Sequence, residues 1–293
     1  MTQPDVTVVL PLFGTHFASQ SLSAVTRAWL GQDVPCEVVV GVAGERPVPD
    51  ALRCHDGGRF RFVVASPDTD HSSPLRNLAA AAARASLLYL SDADVAPVGT
   101  DFLSRALRWL REPGDVVLQP WMYRLVNADE VLDVGEFRRP GRGRVCHVYG
   151  DKAGNLTPVG EERFLWAAAD LMVVDLPRDV QPDIAGVRTW RPHPFHWGGF
   201  LMHHELFDSV GGFCEAYTGW GSEDDDLIAK LDGRANLIRA WRVDRATTCV
   251  HFEHDRTHAG HATNQTILAR RRTAGADQMI DEDLRGVARA GGG

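Results

Sequence analysis

The chain has 293 residues, 44% of them hydrophobic and 24% charged, and a formal net charge of -8, the make-up of a globular protein with room for a large core. Net negative charge argues against a nucleic-acid partner, which calls for a basic face, and no apolar run approaches the ~18 residues of a membrane span. The start Met1-Thr2-Gln3-Pro4-Asp5 lacks a basic leader, so a soluble, cytoplasmic protein is expected. Five scattered cysteines, with no Cys-x-x-Cys pair, read as reduced and structural.

Val6 to Leu10 is a β-branched run closed by Pro11, a strand, and Ala18 to Leu30 carries apolar residues at helical spacing. Cys36 to Val42 and Phe60 to Val64 are the next strands. An Ala-rich helix follows over Leu75 to Ala85, then a strand, Leu87 to Leu90, that ends at Ser91-Asp92-Ala93-Asp94. Strands separated by helices predict an α/β fold of parallel βαβ units. Ligands of such sheets bind beyond the carboxyl ends of the strands, where Asp92 and Asp94 stand.

Asp101 to Arg111 reads as a helix and Val116 to Gln119 as a strand. From Trp121 to Pro194 the pattern is irregular and rich in Pro, Gly and Arg, with one candidate strand at Leu171 to Val174. His196 to Met202 is strand-like, Glu205 to Val210 a short helix, and Gly211-Gly212-Phe213 a turn. Glu223 to Leu231 is a helix, and Ala235 to Ala240 and Ala246 to Phe252 are strands. Beyond Asp255 the chain is polar and helix-prone. Its Arg270-Arg271-Arg272 cluster reads as a solvated helix face, and Gly291 to Gly293 as a disordered end.

The most concentrated chemistry lies at Gly219-Trp220-Gly221-Ser222-Glu223-Asp224-Asp225-Asp226. Four adjacent carboxylates repel one another unless a cation or a helix N-terminus compensates. An acidic first helical turn with Ser222 as N-cap is one reading. A sugar site, with the Trp220 ring beside carboxylates, is the other. Four Asp-x-Asp triplets occur, a number chance alone can produce. Asp281/Asp283 reads as surface charge in the tail, Asp68/Asp70 as a polar loop, and Asp224/Asp226 belongs to the acidic run. Asp92/Asp94 follows a buried-type strand, and hard oxygen ligands there suit Mg²⁺ or Mn²⁺ bridged to a diphosphate. A plain strand-end turn is its alternative. His251 and His254, three residues apart at a strand end, are either metal ligands beside Asp94 or hydrogen-bonded structural histidines.

These pieces in this order, from Val6 to His254, resemble the nucleotide-sugar glycosyltransferases of the GT-A fold, family 2 and its relatives the β-1,4-galactosyltransferases. The resemblance rests on the strand ending Leu10-Pro11, Arg76-Asn77, Asp92-Ala93-Asp94, Gly198-Gly199, Gly211-Gly212-Phe213, Gly219 to Leu227, and Cys249-x-His251-x-x-His254. One departure stands out. The Asp-Asp-Gly-Ser type segment that follows the second strand in family 2 is replaced by Val42-Ala43-Gly44-Glu45, which leaves Glu45 as the substitute for reading a uracil edge.

The resemblance implies a mostly parallel, Rossmann-like sheet in a single large domain. Residues 1–98 would form the nucleotide-sugar half, 99–255 the acceptor and catalytic half, and 256–293 a helical C-terminal extension. It implies inverting transfer from a nucleoside-diphosphate sugar, UDP-linked in the closest pattern, to a hydroxyl of a soluble acceptor. Asp224 would be the general base, and Glu223 or Asp225 would position the acceptor. Pro11, Phe13, Glu45, Arg76, Asp92, Asp94, Gly198 and Gly199 would meet the donor. Trp220 and Trp197 would face the sugars, a core role being the alternative for Trp197. Mn²⁺ or Mg²⁺ would sit on Asp94 with His254, His251 or both. A sugar-nucleotide nucleotidyltransferase, a non-catalytic sugar-binding protein and a hydrolase using Asp92 and Asp224 are the competing readings. Against the first of these, Pro11 to Thr15 has a single glycine and no basic residue.

Overall fold

The computed structural model describes residues 3–14, 21–44, 58–69, 71–97, 99–111, 115–126, 144–146, 148–150, 156–158, 199–239, 247–252 and 259–290. Glu45, Leu171 to Val174, Trp197, Gly198, His254 and the final glycines lie outside them, and of His251 only the backbone is described.

A seven-stranded sheet forms the centre. Its strands are β1 (Val6–Leu12), β2 (Cys36–Val42), β3 (Phe60–Val64), β4 (Leu87–Leu90), β6 (Val116–Gln119), β11 (Phe200–His203) and β12 (Asn236–Arg239), in the order β12-β6-β11-β4-β1-β2-β3. β1 pairs in parallel with β2 and β4, β2 with β3, and β6 with β12, whereas β11 runs antiparallel to both β4 and β6. Period-2 side chains send β1 to both faces. Val6, Val8, Leu10 and Leu12 join the core beneath helices α1 (Ser21–Leu30) and α3 (Phe102–Trp109). Val9 joins the other face, beneath α2 (Ser72–Ala81), α4 (His204–Ser209), α5 (Glu223–Leu231) and α7 (Ala276–Ala290). Buried on both faces, β1 and β2 need continuous apolar runs rather than alternation, which is how they read in sequence. On the first face, Trp29, Tyr89 and Phe102 pack with ring centroids 4.6–5.5 Å apart, largely edge to face.

A second, four-stranded sheet has the order β5-β13-β7-β8, from β5 (Val95–Pro97), β7 (Trp121–Val126), β8 (Arg144–Cys146) and β13 (Thr248–Phe252). β9 (Val148–Gly150) and β10 (Leu156–Pro158) form a separate antiparallel pair. The region read as irregular from Trp121 onward thus begins with a regular six-residue strand, which gains its order from parallel pairing with β13 far along the chain. The helix expected over Leu75 to Ala85 runs Ser72–Ala81 instead. Pro74 falls in its first turn, where a missing N–H costs nothing. At the other end Arg84 is held by Glu37, which accepts from its backbone N–H at 2.7 Å and from its Nε at 2.7 Å. Cys36, Cys214 and Cys249 are buried and form no disulfide, and burial pushes the Cys214 thiol up to about 12. Among the described residues, no helix is long and apolar enough to cross a membrane.

The polar C-terminal segment forms α6 (His261–Ala274) and α7, and it is no detached tail. Arg271, read as part of a solvated face, is buried: its Nε donates to Asp226 Oδ2 at 2.6 Å and its Nη2 to Asp283 Oδ2 at 2.7 Å. Asp283, read as surface charge, also meets the fully buried Lys230 Nζ at 2.7 Å. Helices that are polar by composition dock here through paired charges, a pattern that hydrophobic periodicity does not report.

Candidate functional site

The carboxyl ends of the parallel strands bring several of the predicted residues to one edge. β1 delivers the buried Pro11, with Phe13 just beyond it, and β4 delivers Asp92 and Asp94. β11 enters this edge at the buried Gly199, because Phe200 lies opposite Leu90. α5 runs back against the strand direction before β12, so its acidic first turn also points to this edge. α2 is held against β2 where Gly41 passes beneath Leu75, since a Cβ on Gly41 would lie 2.1 Å from the Leu75 carbonyl oxygen. That contact lowers Arg76 into the site. A depression of about 490 Å³ lined by Gln3, Asp5, Ser86, Leu87, Leu107 and Arg111 lies at the amino ends of β1 and β4, the opposite edge.

Arg76, 3% exposed, gathers the acids. Its Nη2 donates to Asp92 Oδ1, and its Nη1 lies 3.4 Å from Asp224 Oδ1 and 3.8 Å from Glu223 Oε1. Its guanidinium carbon rests 4.9 Å from the centroid of the Phe213 ring, a cation–π geometry. Ser72, one turn earlier on α2, donates to Glu223 Oε1 at 3.0 Å. Burial alone would lower the pKa of Arg76, but Asp92, Asp224 and Glu223 overcome it and hold the guanidinium raised and charged. Burial pushes the Asp224 carboxyl well above the usual carboxylate range. Arg76 opposes that push, and Glu223, Asp92 and Asp225 add to it. A carboxylate in that state is a stronger proton acceptor than a solvated one.

The four consecutive acids divide by environment. Glu223 and Asp224 face Arg76. Asp225 lies 3.6 Å from the half-exposed Arg272. Asp226 is fully buried in a structural network, accepting from Tyr217 Oη at 2.8 Å and from Arg271. Ser222 stands at the N-cap position of α5 but makes no side-chain capping bond, because its backbone is left-handed at φ 81°. It is the one non-glycine among the described residues with positive φ, a strain of about 1–3 kcal/mol.

The turn before it is held by α6. Asn264 Nδ2 donates to the carbonyls of Thr218, Gly221 and Trp220 at 2.9, 2.9 and 3.2 Å, and its Oδ1 accepts from the Thr218 N–H at 3.3 Å. The Trp220 N–H donates to the Ala259 carbonyl at 3.0 Å, and its ring lies 5.0 Å from that of His261. Gly219 and Gly260 make the approach feasible. A Cβ on the first would sit 2.3 Å from the Ala259 oxygen, and one on the second 2.4 Å from that of Thr218. Asn264 and His261 carry no motif signal, and only contacts between distant segments reveal them.

Asp94 is 2% exposed at the turn into β5. β5 pairs with β13 so that Val95 lies opposite His251. The strand carrying the predicted histidine is therefore hydrogen-bonded to the one that leaves the Asp94 turn. Asp94 supplies a buried hard oxygen donor of the kind Mn²⁺ takes, and among the described residues no group of three or more His, Cys, Asp or Glu is placed to hold a metal ion.

Residues 188–255 match a family model described as the N-terminal domain of galactosyltransferase. This segment includes Gly199, the Gly-Trp-Gly turn, the acidic run, His251 and His254. No curated protein sequence matches the chain. Among solved structures it is similar to the mannosyltransferase PcManGT from Pyrobaculum calidifontis in complex with GDP-Man and Mn2+, with TM-score 0.51 and 18% identity over 90% of this chain and 60% of that one. It is similar also to S. aureus TarS 1-349 in complex with UDP-GlcNAc, with TM-score 0.54 and 15% identity over 96% and 71%. A third is GalNAc-T7 with UDP, GalNAc and Mn2+, with TM-score 0.52 and 11% identity over 86% and 44%. The chain thus spans less than two thirds of the first and third of these proteins. The chain has the GT-A glycosyltransferase fold and carries a galactosyltransferase-like segment at residues 188–255.

Proposed function

We propose that the chain transfers a sugar, with inversion, from a nucleoside-diphosphate donor to an acceptor hydroxyl, with Asp224 as the general base. The observation that carries this reading is the Asp224 carboxyl itself: largely but not fully buried, 3.4 Å from Arg76 Nη1, raised in pKa, and tied through Arg76 to Asp92 at the carboxyl edge of the sheet. The nucleotide-sugar and Mn2+ complexes of the structural neighbours give the same direction for the donor and the cofactor.

Chemically, the acceptor oxygen attacks the anomeric carbon as the bond from that carbon to the diphosphate oxygen breaks. The acceptor proton passes to Asp224, and the diphosphate leaves with the bonding electrons. Acceptance of that proton contributes a rate factor of about 10² to 10⁴. Glu223, fixed by Ser72, and Asp225 orient the acceptor, and Trp220 offers its ring to a sugar face. Pro11, Phe13, Asp92 and Gly199 line the donor side, with Gly198 and Glu45 assigned there from sequence. Mn²⁺ would be held by Asp94 with His251, His254 or both, and when bound it supplies charge neutralisation on the departing diphosphate. Trp197 is assigned to the acceptor from sequence.

The test is a panel of UDP- and GDP-linked sugars with Mn²⁺, read first by thermal shift and then by slow transfer to water. One donor should stabilise the protein and release its nucleoside diphosphate, and Asp94→Asn should weaken Mn²⁺ binding by at least about tenfold. Binding without turnover would indicate a sugar-binding protein. Pyrophosphate release from a nucleoside triphosphate and a sugar phosphate would indicate a nucleotidyltransferase.

A further inference from the structure

Both terminal nitrogens of Arg76 face protein carboxylates rather than open space. Nη2 donates to Asp92 and Nη1 approaches Asp224 and Glu223, while the Phe213 ring covers the guanidinium. The backbone on either side of Arg76 is fixed. Leu75 rests on Gly41, and Asn77 brackets Phe213, its Oδ1 accepting from the Phe213 N–H at 2.9 Å and its Nδ2 donating to the Phe213 carbonyl at 2.9 Å. The ring that stacks on Arg76 is thus held by the residue next to it in sequence. Ser72 sits on the same helical face, four residues earlier, and takes Glu223 Oε1 at 3.0 Å, so neighbouring side chains of α2 engage neighbouring acids of α5. A guanidinium is a planar fork whose two arms can satisfy two separate acceptors at once, which an ammonium cannot do in the same way.

We propose that Arg76 is a positioning residue for Asp224: it fixes Oδ1 so that Oδ2 receives the acceptor proton, and through Asp92 it ties the base to the donor-side loop. This rests on the reading of Asp224 as the base. Three acids surround Asp224, with Asp92 from the β4–β5 turn and Glu223 and Asp225 from α5, and Arg76 from α2 is the opposing charge. Loss of the guanidinium therefore leaves the carboxyl protonated to higher pH, and the acid limb of the rate profile moves up with it.

Arg76→Gln and Arg76→Lys test the link by two measurements. The first follows the carboxyl carbons of protein labelled with ¹³Cγ-aspartate by NMR, with Asp224 assigned by comparison with Asp224→Asn. The second follows donor hydrolysis against pH, with UDP-GlcNAc and GDP-mannose as probes and Mn²⁺ present, alongside affinity for UDP and GDP. In Arg76→Gln the Asp224 titration and the acid limb should both rise by at least about one pH unit, activity should recover on the alkaline side, and nucleotide affinity should stay within about twofold. An unmoved titration in a folded Arg76→Gln protein overturns the proposal. So does a tenfold loss of nucleotide affinity without a shift, which would make Arg76 a donor ligand. Should Arg76→Gln fail to fold, Arg76→Lys keeps the charge but not the fork, and kcat should fall at unchanged KM. Unchanged kcat there overturns the proposal. If the wild-type protein turns over no nucleotide sugar, the glycosyltransfer reading falls while the NMR titration still decides whether Arg76 controls Asp224.

Discussion

Asp224 ionises in a place that penalises its charge, since its side chain is one-fifth exposed and Glu223, Asp92 and Asp225 stand around it. A carboxyl whose folded pKa lies above its ordinary value holds its proton more tightly folded than unfolded, so the fold is penalised once the pH rises through that raised value. The penalty fades as the pH falls toward the ordinary aspartate pKa of about 4. Asp224→Asn should therefore lower transfer by about 10² to 10⁴ yet melt no lower than wild type at neutral pH, and any gain should shrink toward pH 4. Calorimetry across that range checks it, and an Asn variant that melts lower at pH 7 than at pH 4, relative to wild type, contradicts the assignment. Residue identity and motif order are what single this position out in the sequence. Its neighbour Asp226 looks the same there yet lies at 0% exposure against Arg271 and Tyr217, because which face of a helix meets a later helix is not written in the local run.

At the scale of elements, α5 and the turn before it work as one piece that α6 holds in shape. Asn264 is 1% exposed and serves four backbone groups of that turn, so Asn264→Ala leaves buried polar groups without partners. The cost should be about 1–3 kcal/mol by urea denaturation, and transfer to a sugar acceptor should fall more than transfer to water. The strands β2, β3, β4 and β6 and the helix α5 keep the bounds that their patterns predict, since each strand is a short apolar run and the helix a run of period 3.6, each bounded by turn residues. β7 was not legible, because its order comes from pairing with β13 across more than a hundred residues. The N-terminal turn of α2 was missed because Ser72-Ser73-Pro74 is loop-like by composition. Clamps such as Asn264 leave no periodic trace at all.

Over the whole molecule, the central sheet fixes the edge that carries Asp92 and Asp94 while a buried charge network ties in the C-terminal helices. Arg271, 3% exposed, meets Asp226 and Asp283, and Lys230, fully buried, meets Asp283 and the Gly212 carbonyl. Removal of one member strands the others, so Arg271→Ala should cost about 3–5 kcal/mol. An apolar substitution of Asp226, Arg271, Asp283 and Lys230 together should cost much less, and equilibrium denaturation separates the two cases. The paired approach of Gly219 and Gly260 carries a consequence for how such sequences drift. A side chain at either position meets the backbone opposite the other, so neither glycine can be exchanged while the turn stays where it is. In any set of related sequences the two positions should be inherited together, and a relative that has lost one glycine should have lost the other and moved Trp220 away from α6.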